Sequence, residues 1–157
     1  MAIEDKLKEL GITLPEAPKP LGSYVPCVQA GNLLFLSGTL PLREGKLIKT
    51  GHVTGKSGES VSIEEAHECA RQCVINALSV LKSYLGDLDR IKRCVKLNGY
   101  VASSQDFTEQ PKVLNAASDL LFEVFGEAGR HARAAVGVSV LPLNSPIEID
   151  FIFEVAS

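Results

Sequence analysis

Apolar residues recur along this chain with two different periods, and the points where the period changes divide it into elements. From Ser62 to Leu85 the positions Ala66, Cys69, Ala70, Cys73, Ala77, Val80 and Leu81 return at threes and fours, the spacing that lines one face of an α-helix. Ser62-Ile63-Glu64-Glu65 has the capping-box arrangement at the start of that run, and Gly86 ends it. Pro111 to Phe125 repeats the pattern, with Val113, Leu114, Ala117, Leu120, Leu121 and Val124 inward and Gly126 as the stop. Elsewhere the period is two. Tyr24 to Ala30 and Leu33 to Ser37 read as strands joined by a tight turn at Gly31-Asn32, and Ile91 to Ala102 reads as a further strand.

Near the C-terminus two more strand-like segments follow, the first carrying Arg133 and the second opening on Ile147-Glu148-Ile149. In the first, Ala134, Val136, Val138 and Val140 form a bulky apolar face, which predicts that they point to the core, while Arg133, Ala135, Gly137 and Ser139 form an opposite face of small residues bearing a guanidinium. In the second, Ile147, Ile149, Phe151, Phe153 and Val155 alternate with Glu148, Asp150, Ile152 and Glu154. Arg133 begins its strand well before the connection and Glu148 follows it at once, so at about 3.3 Å per residue the two are expected some 25 Å apart along the strand. A site using both would then join two subunits.

The remaining segments are less regular. Ile3 to Leu10 predicts a short helix stopped by Gly11, after which Pro15, Pro18 and Pro20 hold the chain extended, giving an N-terminal extension over about residues 1–21. Thr39 to Gly58 is rich in Gly, Lys and Thr and reads as an excursion with a short strand around Lys46 to Lys49. The order ββ(β)αβαββ predicts the α+β class: a single mixed β-sheet of about six strands with two helices packed on one face. Two helices leave the small-residue face carrying Ala135, Gly137 and Ser139 without cover, which suggests subunit packing there.

The length of 157 residues, with 45% hydrophobic and 22% charged, fits one domain spanning 1–157 with a core of its own. The net charge of −3, without a clustered basic surface, argues against nucleic acid as a partner. No apolar run approaches the roughly 20 residues of a membrane span, and the N-terminus lacks the apolar stretch of a secretory signal, so a cytoplasmic location is expected and no membrane. Cys27, Cys69, Cys73 and Cys94 lack paired CxxC spacing, which predicts free thiols and no metal site.

The segment Ala132-Arg133-Ala134-Ala135-Val136, with Ser139, Leu141 and Ile147-Glu148-Ile149, resembles the C-terminal signature of the reactive intermediate deaminase family, also called YjgF-type or L-PSP. Gly22-Ser23-Tyr24-Val25, Leu36-Ser37-Gly38-Thr39 and Asn115-Ala116 resemble further motifs of that family, so the likeness runs from about Gly22 to Val155. The chain departs from it at His131, where the family usually has Pro or Ala, and at Ala135, which replaces a common cysteine. The resemblance implies a chorismate-mutase-like fold, a homotrimer with intersubunit sites, and hydrolysis of imines or enamines of 2-oxo acids to the oxo acid and ammonia, with no cofactor.

It also implies roles for residues. Arg133 would hold the carboxylate of the imine ligand, helped by the backbone N–H of Ala135, because the planar guanidinium forks onto a carboxylate. Glu148 would orient or deprotonate water, Ser37, Gly38 and Asn115 would shape the cleft, and Tyr24 would close one wall. The same residues admit simpler readings: an intersubunit ion pair of Arg133, a solvated strand carboxylate at Glu148, and ordinary strand-end or helix-surface roles for the others. Two further functions compete with hydrolysis, namely non-catalytic sensing of a small carboxylate such as a 2-oxo acid, and ribonuclease activity, which the acidic balance disfavours.

Overall fold

The computed structural model describes residues 1–19, 22–56 and 60–157. Pro20, expected in the extended arm, and Gly58, expected to end the excursion, lie outside the described residues. The order is α1 (Ile3–Glu9), β1 (Cys27–Ala30), β2 (Leu33–Leu36), β3 (Leu42–Arg43), β4 (Lys46–Leu47), α2 (Ile63–Leu85), β5 (Ile91–Ala102), α3 (Gln110–Phe125), β6 (Ala132–Val138) and β7 (Ile147–Val155). Five strands form one mixed sheet in the order β1-β2-β7-β5-β6, parallel between β5 and β6 and antiparallel at the other pairings.

The elements form where the sequence supplies both a face and an end. Ser62 Oγ accepts from the Glu65 N–H, and the Glu65 carboxylate accepts from the Ser62 N–H, so two of the four orphan donors of α2 are satisfied reciprocally. Lys49 lies 2.6 Å from the second Glu65 oxygen, and these bonds hold the Glu65 carboxyl down at about 2. The buried stripes of α2 and α3 close over Leu34, Leu97, Val101, Ile147, Ile149, Phe151 and Phe153, which all point to one side of the sheet. The N-terminal extension is not a loose arm throughout. Leu7 of α1 joins the buried core, Ile3 N–H donates to Asp89 Oδ1 at 2.8 Å, and Glu4 pairs with Lys82 at 2.8 Å.

Two expectations are corrected. The short strand near Lys46 does not extend the sheet to six strands; it pairs with Leu42–Arg43 in a separate two-stranded ribbon. The ribbon is tied to α2 instead, because Asn76 Nδ2 donates to the carbonyls of Leu40 at 3.0 Å and Leu42 at 2.9 Å, while Arg43 bonds Gln72 and Glu68.

The second correction concerns β6, whose bulky face is not its core face. Val136 is 45% exposed, and Val140 just beyond the strand is 69% exposed. The register pairs Arg133 with Leu97, Ala135 with Gly99 and Gly137 with Val101, so the small-residue face looks toward the helices. The physical reason is closeness. A Cβ placed on Gly137 would already lie 2.7 Å from Gln110 Nε2 of α3, a contact the Gln110 side chain can relieve, whereas a side chain as bulky as valine on this face would need the helix itself to move. In β7 the expected alternation is the observed one, with Ile147, Ile149, Phe151, Phe153 and Val155 buried.

The opposite face of the sheet has no helix over it among the described residues. It carries Asn98, Tyr100, Glu148 and Asp150 at its centre, with exposed Val28, Phe35 and Val136 around them. No described helix is long and apolar enough to cross a membrane.

Candidate functional site

The residues singled out from sequence fall into two groups that do not meet within one chain. The expected 25 Å separation of Arg133 and Glu148 is also revised. β6 and β7 both flank β5, Arg133 is level with Leu97 and Glu148 with Tyr100, so only three positions, about 10 Å, separate them along the strands. Their side chains are kept apart by the sheet itself, since Arg133 projects to the helix side and Glu148 to the uncovered side.

The first group is built at the end of β2. Ser37 N–H donates to the Pro26 carbonyl and Ser37 Oγ to the Val25 carbonyl at 2.7 Å, which folds the chain back past Tyr24. Thr39 then bridges to β7, exchanging backbone bonds with Ile149 in both directions. The bridge presses Gly38 against the next residue of β7: a Cβ at Gly38 would lie 2.9 Å from Glu148 Cδ. Any side chain there would displace the carboxylate, so the glycine is what admits Glu148 to this position.

Glu148 has no ion-pair or hydrogen-bond partner among the described residues. Its carboxyl is pushed above the ordinary range, first by burial and then by the charge of Asp150. Asp150 in contrast accepts from Asn98 Nδ2 at 2.8 Å and from Tyr100 Oη at 3.0 Å, so its oxygens are occupied. Tyr24, Ser37 and Gly38 line one end of a cavity of about 560 Å³ whose other walls include Pro15, Pro18, Leu42 and Val80. The extended N-terminal segment is thus one wall of this cavity.

The second group is built on α3 and β6. Arg133 Nη1 donates to Asn115 Oδ1 at 3.0 Å and to Ser118 Oγ at 3.1 Å. Both protons of that nitrogen are engaged, while the Nε–H and Nη2 edge, a planar side-on fork, has no partner among the described residues. Ala135, two residues along the same face, packs its methyl against the core. Ser118 escaped the sequence reading, although a signal existed, because Asn115 and Ser118 are i and i+3 on a helix and share a face. His131, for which the sequence offers no partner, is bonded on both ring nitrogens, to Gly129 O at 2.7 Å and Ser118 Oγ at 2.9 Å.

The four cysteines are buried and free. Burial pushes the thiols up, to about 12 for Cys69 and Cys94, so they pack as small apolar groups rather than as nucleophiles. Among the described residues no cluster of His, Cys, Asp and Glu could hold a metal ion.

Comparison with known proteins identifies the family and the fold. Residues 4–155 match the family model described as "YjgF/chorismate_mutase-like, putative endoribonuclease". The chain is 47% identical to Protein TCP17 of Trypanosoma cruzi over 149 residues, 94% of this chain and 91% of that one. It is 30% identical over 142 residues to a 2-iminobutanoate/2-iminopropanoate deaminase of Dermatophagoides farinae, covering 90% and 92%. The crystal structure of Atu1372 from Agrobacterium tumefaciens, a protein of unknown function, superposes with a TM-score of 0.89 at 48% identity, covering 98% of this chain and 92% of that one.

Proposed function

The chain belongs to the YjgF family and has its chorismate-mutase-like fold; from that premise we propose that it hydrolyses 2-imino acids to 2-oxo acids and ammonia at sites shared between subunits of a homotrimer. The observation that carries this reading is the state of Arg133. Its Nη1 is anchored on α3, and its remaining edge, without a partner among the described residues, has the geometry that holds a carboxylate with two parallel bonds. The Ala135 N–H, further along the same strand, is the candidate third donor.

A substrate held by its carboxylate has its imine carbon fixed relative to a water on Glu148. The Glu148 carboxylate removes a proton from that water, and the oxygen forms a bond to the imine carbon as the π electrons move to nitrogen. Transfer of protons to nitrogen then allows the tetrahedral adduct to collapse, breaking the C–N bond and releasing ammonia while the carbonyl forms. No electrons leave the system, so no redox cofactor is required. Elevation of the Glu148 pKa by burial and by Asp150 makes the carboxylate a stronger base than an exposed glutamate.

Because Arg133 and Glu148 face opposite sides of one sheet, the site requires the Arg133 group of one copy and the Glu148 group of another. The uncovered sheet face with exposed Val28, Phe35 and Val136 favours such an assembly. The decisive experiment mixes two variants. Arg133→Ala and Glu148→Gln should each release ammonia from enzymatically generated 2-iminobutanoate at no more than about a hundredth of the wild-type rate. Subunits exchanged between them at equal amounts should regain about a quarter of wild-type activity, because one site in four then draws both native residues from different copies. Activity of the mixed oligomer no higher than that of either variant would overturn the shared site. Ligand binding by the wild type without turnover of any imine would overturn hydrolysis in favour of sensing.

One further outcome is expected. Since the reacting form of Glu148 is the carboxylate, activity should fall as pH drops through its raised pKa, with the acid limb above the ordinary glutamate value. Asp150→Asn removes the neighbouring charge and should move that limb to lower pH; an unmoved limb in the kcat profile would contradict the assignment.

RNA cleavage, named in the family description, fits the residues less well. The chain carries a net charge of −3, and its uncovered sheet face places two carboxylates at the centre. The buried free thiols suit a cytoplasmic setting.

A further inference from the structure

His131 lies two residues before Arg133, and its hydrogen bonds have a single consistent direction. Nδ1 faces the Gly129 carbonyl at 2.7 Å, and a carbonyl only accepts, so Nδ1 carries the ring proton. Nε2 of a neutral ring then presents a lone pair, and the Ser118 hydroxyl 2.9 Å away donates to it. With its proton so directed, Ser118 Oγ offers lone pairs to Arg133 Nη1 at 3.1 Å. A chain of bonds thus runs from the guanidinium through Ser118 and the imidazole to a backbone carbonyl. Burial, more than any other influence, lowers the pKa of His131, in keeping with the neutral ring that this chain requires.

We propose that Ser118 and His131 are positioning residues for carboxylate binding by Arg133, an inference that rests on the role given to Arg133 above. Asn115 alone would fix one proton of Nη1 and leave the guanidinium free to swing about that contact. A second bond to the other proton of the same nitrogen fixes the plane of the fork, and His131 fixes the hydroxyl that makes this second bond. The Nε and Nη2 edge is thereby held ready before a ligand arrives, so less side-chain entropy is lost on binding. The signal for this device lies in the pairing of His131 with a serine one turn along α3 from Asn115.

The test measures 2-oxobutanoate binding by calorimetry, together with kcat and KM for the imine, on the intact oligomer. Ser118→Ala and His131→Ala should each weaken binding roughly 5–30-fold, with KM raised by a similar factor and kcat changed less. The double variant should be no weaker than either single one, because both remove the same support. His131→Gln, whose side-chain carbonyl can accept the Ser118 proton, should recover most of the affinity, as should Ser118→Thr. Unaltered binding in Ser118→Ala and His131→Ala, or losses that add in the double variant, would overturn the proposal. Arg133→Ala separates the two levels of inference. If it too binds 2-oxobutanoate normally, the role of Arg133 itself fails; if it alone loses binding, only the positioning role fails. Ser118→Ala puts a strong helix former in a helix, so its fold is expected to survive, and circular dichroism confirms this before binding is read.

Discussion

Arg133→Ala is expected to reduce kcat/KM for 2-imino acids by roughly 10²–10⁴-fold, the effect of losing two charge-assisted hydrogen bonds of about 1.5–3 kcal/mol each. Arg133→Lys should recover only a small part of this. Lysine restores the charge but not the fork, and its single ammonium cannot engage Asn115, Ser118 and a carboxylate with the same planar geometry. Thermal unfolding and the size of the oligomer should be little changed, since Arg133 makes no ion pair among the described residues and its strand is held by the register with β5. The result that would sink this expectation is full turnover by Arg133→Ala in a folded oligomer.

Gly129→Ala should be the most damaging single-methyl change to stability. A Cβ there would fall 2.2 Å from the Leu121 carbonyl oxygen and 2.6 Å from its carbon, which are backbone atoms of α3 and cannot rotate away. Relief requires shifting the turn after α3 or the helix itself, at a cost of about 3 kcal/mol or more, near the upper end of overpacking effects. At roughly 2–4 °C per kcal/mol for a chain of this size, thermal unfolding should move by about 6 °C or more.

The damage should reach the site as well. Gly129 supplies the carbonyl that fixes the His131 tautomer, and α3 carries Asn115 and Ser118, so weaker 2-oxobutanoate binding should accompany the loss of stability. Gly137→Ala makes the contrast. Its Cβ would meet the far ends of Gln110 and Ser103, which can turn aside, so its unfolding temperature should stay close to that of wild type. Equal destabilisation by the two substitutions would contradict the distinction between rigid backbone and mobile side-chain contacts.

Much of the fold was readable because its signals are local. The period of three and four in α2 and α3, the capping box at Ser62 and the tight turn at Gly31-Asn32 each depend on residues a few positions apart, and each element lies where that pattern put it. The same holds for the alternation in β7. What failed was the step from alternation to burial in β6. Hydrophobicity assigned its core face to Val136 and Val140, but an edge strand against a close helix is chosen by size, and Ala135 and Gly137 took the inward side. The ribbon at Lys46 failed for a related reason, since its partner was decided by Asn76 reaching from α2.

Residue identities by themselves singled out the candidate groups: Arg133 and Glu148 in two strands near the C-terminus, with Tyr24, Ser37, Gly38, Asn115 and Ala135 in a recognisable order. Only the tertiary structure decided how those groups are distributed. It turned Arg133 to the helix side and anchored it on Ser118, whose bond to His131 links residues thirteen positions apart in different elements. It set Glu148 on the other side, against Gly38 and beside Asp150. The division has a physical cause: periodicity and capping act between near neighbours along the chain, whereas the face a strand presents, the partner of a polar group and the pKa of a carboxylate depend on what packing brings beside them.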